Sequence, residues 1–327
     1  MTTKTRPVKG ERKKKVLGYS ASIVSTLAVG IGAGLLAANL WKPPIENVTA
    51  NASEYALSES YYTEASKTLE KALTSNTPLS EALSPDQLVN IAYRNFGNLK
   101  MTKSIGIGSS VSIGGISQEI QSATFHVGER YFEESNSLGI VNIHDRMYQE
   151  GDITTTYWGE KNDYANHPKQ EMSNQEYATM MGRQISEGLI YIVSPKTISY
   201  DADLSGYGTS HIDKTENGYR IEIEMQQVDT SSGKPMMPGI TNYQKQMKNI
   251  SGLKTYPSFA YCHLSVEVDS KGNLLSMLAH EKYDATMPIG PTAIEATCEG
   301  ALYTRYYSDG TYEIPTLGDL IDYESYK

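Results

Sequence analysis

Cysteine, phenylalanine and tryptophan are scarce in this chain of 327 residues, with two Cys, four Phe and two Trp against 24 Tyr. Outside a membrane, two cysteines usually mean one disulfide. Their positions, Cys262 and Cys298, exclude a bacterial lipid anchor, which needs a Cys directly after an N-terminal apolar run. Chemical signatures are missing too. The histidines, at 126, 144, 167, 211, 263 and 280, show no HExxH and no paired metal spacing, and no nucleophile elbow appears. Asp201-Ala202-Asp203-Leu204-Ser205-Gly206 begins like a calcium loop, but its twelfth position is Ile212 instead of a bidentate Glu. Gly233-Lys234 lacks the Gly-rich run of a phosphate loop. Both read as turns. The expectation is a non-enzymatic protein with no catalytic residue, no metal and no cofactor.

Charge is absent from Val16 to Trp41. As a helix this run would be roughly 37 Å long, enough to cross a bilayer core of about 30 Å with some tilt. Lys4, Arg6, Lys9, Arg12, Lys13, Lys14 and Lys15 precede it, offset only by Glu11. Positive flanks stay cytoplasmic, and Tyr19 and Trp41 suit the two headgroup regions. The expected order is a basic cytoplasmic tail (1–15), a transmembrane signal-anchor (16–41), a stalk (42–55) and an extracytoplasmic β-rich domain (56–327). That places the protein in the cell membrane, single-pass, with its main domain outside. A cleaved signal peptide is the alternative. Its apolar run would be shorter, about 7–15 residues, and Leu36-Ala37-Ala38 is a poor cleavage site. Ser22, Thr26, Gly30, Gly34 and Ala38 form a small-residue stripe, so Gly30 and Gly34 are the candidate contact of a homodimer through the membrane helix.

Positive charge is in deficit beyond the anchor. The chain carries −9 overall, yet its first 42 residues hold eight Lys/Arg and one Glu, which leaves −16 for the remainder. Such a surface excludes nucleic acid as a partner and disfavours lying flat on anionic lipid. The excess of Tyr over Phe suits half-buried sheet positions where the ring's polar end stays wet.

Residues 56–75 predict a helix, with Leu57, Tyr61, Ala65, Leu69 and Leu73 recurring every four. Ser84-Pro85-Asp86 predicts a second over 85–97, and Ser173 to Glu176 a third with a capping box, reaching about 187. Strands are predicted at 103–113, 119–127, 129–134, 138–149, 152–159, 189–193, 197–202, 217–228, 258–268, 273–284 and 293–306. Residues 160–171 predict a polar loop and 241–252 a short helix. The fold class is α+β, an N-terminal transmembrane helix followed by a large, curved antiparallel sheet (half-barrel-like) with a few packed helices.

Cys262 and Cys298 form a disulfide candidate by compartment. If 258–268, 273–284 and 293–306 pair in succession, His280 falls beside both cysteines and the thiols stand two strands apart, about 9–10 Å by strand spacing. That is too far for a bond in this strand order, so free buried thiols and a Cys-His-Cys zinc site stay open beside the disulfide.

A short helix at 85–97 followed by long strands, the Gly128-Glu129-Arg130-Tyr131-Phe132 turn and strand, Arg146-Met147-Tyr148 with Gly151 after it, and a Tyr-rich meander resemble the lipoprotein-carrier superfamily, its LolA-like and LppX-like exported domains. The resemblance spans 85–306. It implies a curved half-barrel with helices over its concave side and a cleft for acyl chains, and no functional residue carries over at a matching motif. The expected partners are the membrane, a lipid or hydrophobic ligand, and an envelope protein. The competing readings are a structural subunit of an envelope complex and an enzyme of unrecognised type.

Overall fold

Ser84 shows how local chemistry starts an element here. In the computed structural model its hydroxyl accepts from the Gln87 backbone N–H, while the Gln87 side chain accepts from the Ser84 N–H, and Pro85 fills the first helical position where no donor is needed. The structure describes residues 58–112, 115–139, 142–159, 162, 164, 169–181, 185–186, 189–190, 208–225, 255–289, 292–316 and 318–327. The segment 16–41, with Gly30 and Gly34, lies outside them, as do the strand expected at 197–202 and the helix at 241–252. Among the described residues no helix is long and apolar enough to cross a membrane.

Helix α1 (Glu59–Ser75) is capped by Ser58 and stopped by Asn76, which takes the left-handed conformation that Asn tolerates. A short α2 (Leu79–Ala82) leads to α3 (Pro85–Asn98). Each buries one stripe: Ala65, Leu69 and Ala72 from α1, and Leu88, Ile91, Ala92 and Phe96 among those from α3. Full burial of a side chain such as Leu88 contributes about 1.5–3 kcal/mol.

Strands β1 (Met101–Ser112), β2 (Ile116–Val127), β3 (Arg130–Leu138), β4 (Ile143–Glu150), β5 (Ile153–Gly159) and β6 (Lys169–Ser173) form one antiparallel meander. Helix α4 (Asn174–Met181) follows, then a two-stranded ribbon of β7 (Ile185–Ser186) and β8 (Leu189–Ile190). A second meander comprises β9 (Gly208–Lys214), β10 (Gly218–Met225), β11 (Ser258–Asp269), β12 (Leu274–Ile289) and β13 (Thr292–Tyr307). The two meanders meet where β1 pairs with β13, giving one open sheet of 11 strands in the order β6-β5-β4-β3-β2-β1-β13-β12-β11-β10-β9. The large antiparallel sheet expected from the sequence is present, and it is not closed.

Several elements differ from expectation, among them the third helix, which ends by Met181 with β7 following at Ile185–Ser186 instead of reaching 187. The sequence predicts a polar loop over 160–171, yet β6 forms at its end because Lys169 to Ser173 pairs with β5 at the sheet edge, where alternating polar side chains are tolerated. β9 carries no apolar run and was not anticipated; it is the opposite edge strand. The 138–149 strand divides, since β3 runs on to Leu138 and β4 begins only at Ile143.

Side chains alternate between the two faces. On one face, α1–α3 pack against β10–β13 through Tyr219, Ile221, Ile223, Leu264, Val266, Val268, Met277, Ala279, Leu302 and others in one cluster. The Tyr219 hydroxyl oxygen also accepts the Leu79 backbone N–H at 3.0 Å. On the other face the C-terminal segment 308–327, ending in a 3-10 turn (Tyr323–Tyr326), lies over β1–β4.

Candidate functional site

The helix-side face changes character at the centre of the sheet. Thr304 of β13 pairs with Gly106 of β1, Gly106 with Ser122 of β2, and Ser122 with Ser135 of β3. Four small residues therefore stand in a row across four strands, about 14 Å by strand spacing. Neighbouring rows hold Ser104 with Thr124, and Gly108 with Ile120 and Ser137. The row ends on Met277 of the helix-side cluster and on Asp145 of β4. Beyond it lies a second apolar cluster of Tyr131, Met147 and Tyr177, with Met172 against it. The face thus carries a furrow floored by Gly, Ser and Thr, with the apolar cluster of β10–β13 on one side and, on the other, the buried Glu133 and Asp145 beside the Tyr131–Met147 cluster.

Local chemistry keeps that floor low. The Ser104 and Thr124 hydroxyls bond each other at 2.6 Å, and Ser137 donates to Gln118 at 3.1 Å, so these polar ends are satisfied within the floor. Gly108 admits no side chain, because a Cβ there would stand 2.1 Å from the Ala301 carbonyl oxygen. Ser122 and Ser135 remain half-buried. The space beneath α1–α3, by contrast, is filled by the packed cluster, so a cleft between those helices and the sheet, as the carrier resemblance implies, is not where the room lies. A separate cleft of about 420 Å³ opens near the far end of β12 and β13, lined by Tyr256, Asp284, Glu295 and Thr297 among others.

Cys262 and Cys298 are both buried and free, on the helix-side face with β12 between them. The sequence placed His280 beside them. Instead Glu281 stands opposite Cys262, and Tyr283 opposite Cys298, while His280 faces the other side next to His263. For Cys262 the reason is a bulge between Glu267 and Val268, which shifts the β11–β12 register by one residue as far as a second irregularity between Phe259 and Tyr261; for Cys298 it is the β12–β13 hairpin, whose pairing starts at Ile289 with Thr292. Glu281 is fully buried as a result. Burial first, and then the Glu281 charge, push the Cys262 thiol well up. Burial also raises Cys298, to about 11, with a hydrogen bond to Tyr283 acting the other way. Such thiols are protonated at neutral pH and are poor nucleophiles. Among the described residues no three His, Cys, Asp or Glu converge to hold a metal.

The opposite face holds a group of residues the sequence reading did not connect. Glu134 of β3 and Arg146 of β4 pair directly, with side chains 2 % and 0 % exposed. Glu134 also accepts from Asn136 Nδ2 (3.0 Å), Tyr323 OH (3.1 Å) and Tyr164 OH (3.3 Å). Arg146 donates from Nη2 to the Asp319 carbonyl at 2.7 Å and stacks over the Tyr164 ring at 3.6 Å. The Tyr323 hydroxyl is pushed well up, chiefly by burial and then by the Glu134 charge. Burial dominates at Tyr164 as well, and raises it. Arg146 was quoted from the sequence as part of a pattern. Its partner was not visible, because the pairing depends on β3–β4 register and on a tail nearly 190 residues away.

No known family profile matches the chain, and no curated protein sequence does. Among solved structures the chain is similar to a LolA superfamily protein from Nitrosomonas europaea, at 6% identity over 72% of this chain and 96% of that one, with a TM-score of 0.24. It is also similar to a DUF1329 family protein from Desulfovibrio piger, at 10% identity over 71% and 92%, TM-score 0.23. A third is a β-barrel-like DUF1849 protein from Brucella abortus, at 11% identity over 64% and 99%, TM-score 0.18. A LolA superfamily protein, the kind the sequence resembles weakly, is thus among the solved structures to which the chain is similar.

Proposed function

We propose that this chain is a non-enzymatic, membrane-anchored protein of the cell envelope, whose extracytoplasmic domain binds a lipid or another hydrophobic ligand along the furrow. The observation that carries this reading is the row Thr304, Gly106, Ser122 and Ser135 between two apolar clusters. Small side chains at the centre of a sheet forgo the packing that larger ones supply, and such a gap stabilises the protein only when something fills it. An acyl chain asks nothing of the Ser104, Thr124 and Ser137 hydroxyls, which already bond within the floor. The uncharged run 16–41 with its basic flank supports the anchor and the outward orientation.

Native mass spectrometry of the purified full-length protein tests the reading. The wild type is expected to carry a lipid adduct that Ser122→Trp removes, at an unchanged melting temperature, since a half-buried Ser122 points into the furrow. Lipid held by the anchor is indifferent to this substitution. An adduct that survives Ser122→Trp, or none in the wild type, defeats the furrow as a ligand site.

A further inference from the structure

The helix-side residues of β1 are small along its length. Thr102, Ser104, Gly106, Gly108 and Ser110 alternate onto that face, and none is larger than threonine. They form a lane along the strand, about 27 Å from Thr102 to Ser110, that crosses the row of small residues at Gly106. At Gly108 it passes between Leu302 of β13 and Ile120 of β2. Thr102, Ser104, Gly106 and Ser110 are screened from water although they are short.

One end of the lane has a different chemistry. Ser104 bonds Thr124 at 2.6 Å, and the two glycines carry no polar side chain. Ser110 is 2 % exposed, yet its hydroxyl has no hydrogen-bond partner. Gln118 stands directly across on β2, but its Oε1 accepts from Ser137 at 3.1 Å instead. Gly300 stands on the other side, on β13, and has no side chain to offer. A buried hydroxyl left unpaired is costly, and folded chains keep few of them. The positions flanking it, Gln118, Gly300 and, beyond Gly300, the buried Glu281 of β12, include no cation. A free carboxylate would therefore stand there without a counter-charge. An ester carbonyl needs one donor and brings no N–H of its own, so it fits.

We infer that Ser110 marks the polar end of the furrow: the ligand is an acyl ester whose carbonyl accepts from the Ser110 hydroxyl, while its hydrocarbon chain runs along β1 over Gly108 and Gly106 toward Thr102. This rests on the furrow as a ligand site and adds the class of the ligand and its direction.

Two photoactivatable methyl esters of a long-chain fatty acid test this on the full-length protein, one with a diazirine beside the carbonyl and one with it at the chain end. Mapped by peptide mass spectrometry, the first is expected to label 108–112 of β1 and 116–120 of β2, and the second 102–106 and 122–126. Ser110→Ala removes only the unpaired hydroxyl. It is expected to leave the melting temperature of the lipid-free protein unchanged or higher, and to weaken competition by the unlabelled methyl ester about two- to tenfold. Competition by an alkane of equal length is expected to stay as it is in the wild type. Both probes labelling the same residues of the lane, equal competition by the ester in wild type and Ser110→Ala, or a lower melting temperature of that variant would overturn the ester and its direction while leaving the furrow as a ligand site. Labels absent from the lane would overturn both.

Discussion

Replacing Arg146 by Met examines the buried ion pair, and its cost can be worked from the contacts. The substitution leaves Glu134 charged, 2 % exposed, and held only by Asn136, Tyr323 and Tyr164. Removing one partner of a buried pair costs about 3–5 kcal/mol, since the other charge stays desolvated. The Asp319 carbonyl also loses its donor, one of the contacts that hold the segment 319–327. A protein of this size has a total stability of about 5–15 kcal/mol, so the loss is a large share of it. With a urea m-value of about 3 kcal/mol/M the midpoint falls by roughly 1–1.7 M. Glu134→Gln should cost a comparable amount, because it strands the guanidinium. The double variant should cost about 2 kcal/mol less than the two added together, since the second change removes a charge the first has already orphaned. Equilibrium urea unfolding of the four proteins measures the cycle. A single-variant cost below about 1 kcal/mol, the range of exposed ion pairs, would refute the claim that water is excluded from this pair.

Three further outcomes follow from the same structure. Tyr323→Phe deletes one hydrogen bond to a carboxylate and should cost about 1.5–3 kcal/mol, with faster amide exchange confined to the segment 319–327. Cys298 has its folded-state pKa raised from 9.0 to about 11, so the unfolded chain binds fewer protons than the folded one between these values. Stability is then fully present below pH 9 and falls as pH rises through 11, by about 2–3 kcal/mol from this group. Thermal melts of Cys298→Ala across pH 8–11 should show a shallower decline than the wild type, and parallel curves would reject that assignment. Alkylation without reductant should label both Cys262 and Cys298 once the chain is denatured and neither while it is folded, because both are free and buried; a mass short by two hydrogens and unlabelled would contradict it.

The helices and most strands were legible because their signals are local. Ser84-Pro85-Asp86 announces a helix start within three residues, and the Asp269–Asn273 turn marks the β11–β12 hairpin. The edge strands were not legible. β6 and β9 are polar, and only their pairing to β5 and β10 makes them strands. Register was the other casualty. One bulge between Glu267 and Val268 set Glu281, not His280, opposite Cys262, and no local residue pattern signals a bulge of that kind. The furrow was hidden for a related reason. Gly106, Ser122, Ser135 and Thr304 are unremarked within their own strands and become a row only when β1 pairs with β13 across nearly 200 residues.

That row is best interrogated with a photoactivatable fatty acid carrying a diazirine along its chain, irradiated on the full-length protein and mapped by peptide mass spectrometry. Adducts on 104–110 of β1, 118–124 of β2 and 302–306 of β13, competed away by unlabelled fatty acid and absent from Ser122→Trp, are the predicted result. Labelling confined to 16–41, or spread over the tail-covered face, would contradict the furrow as the ligand site.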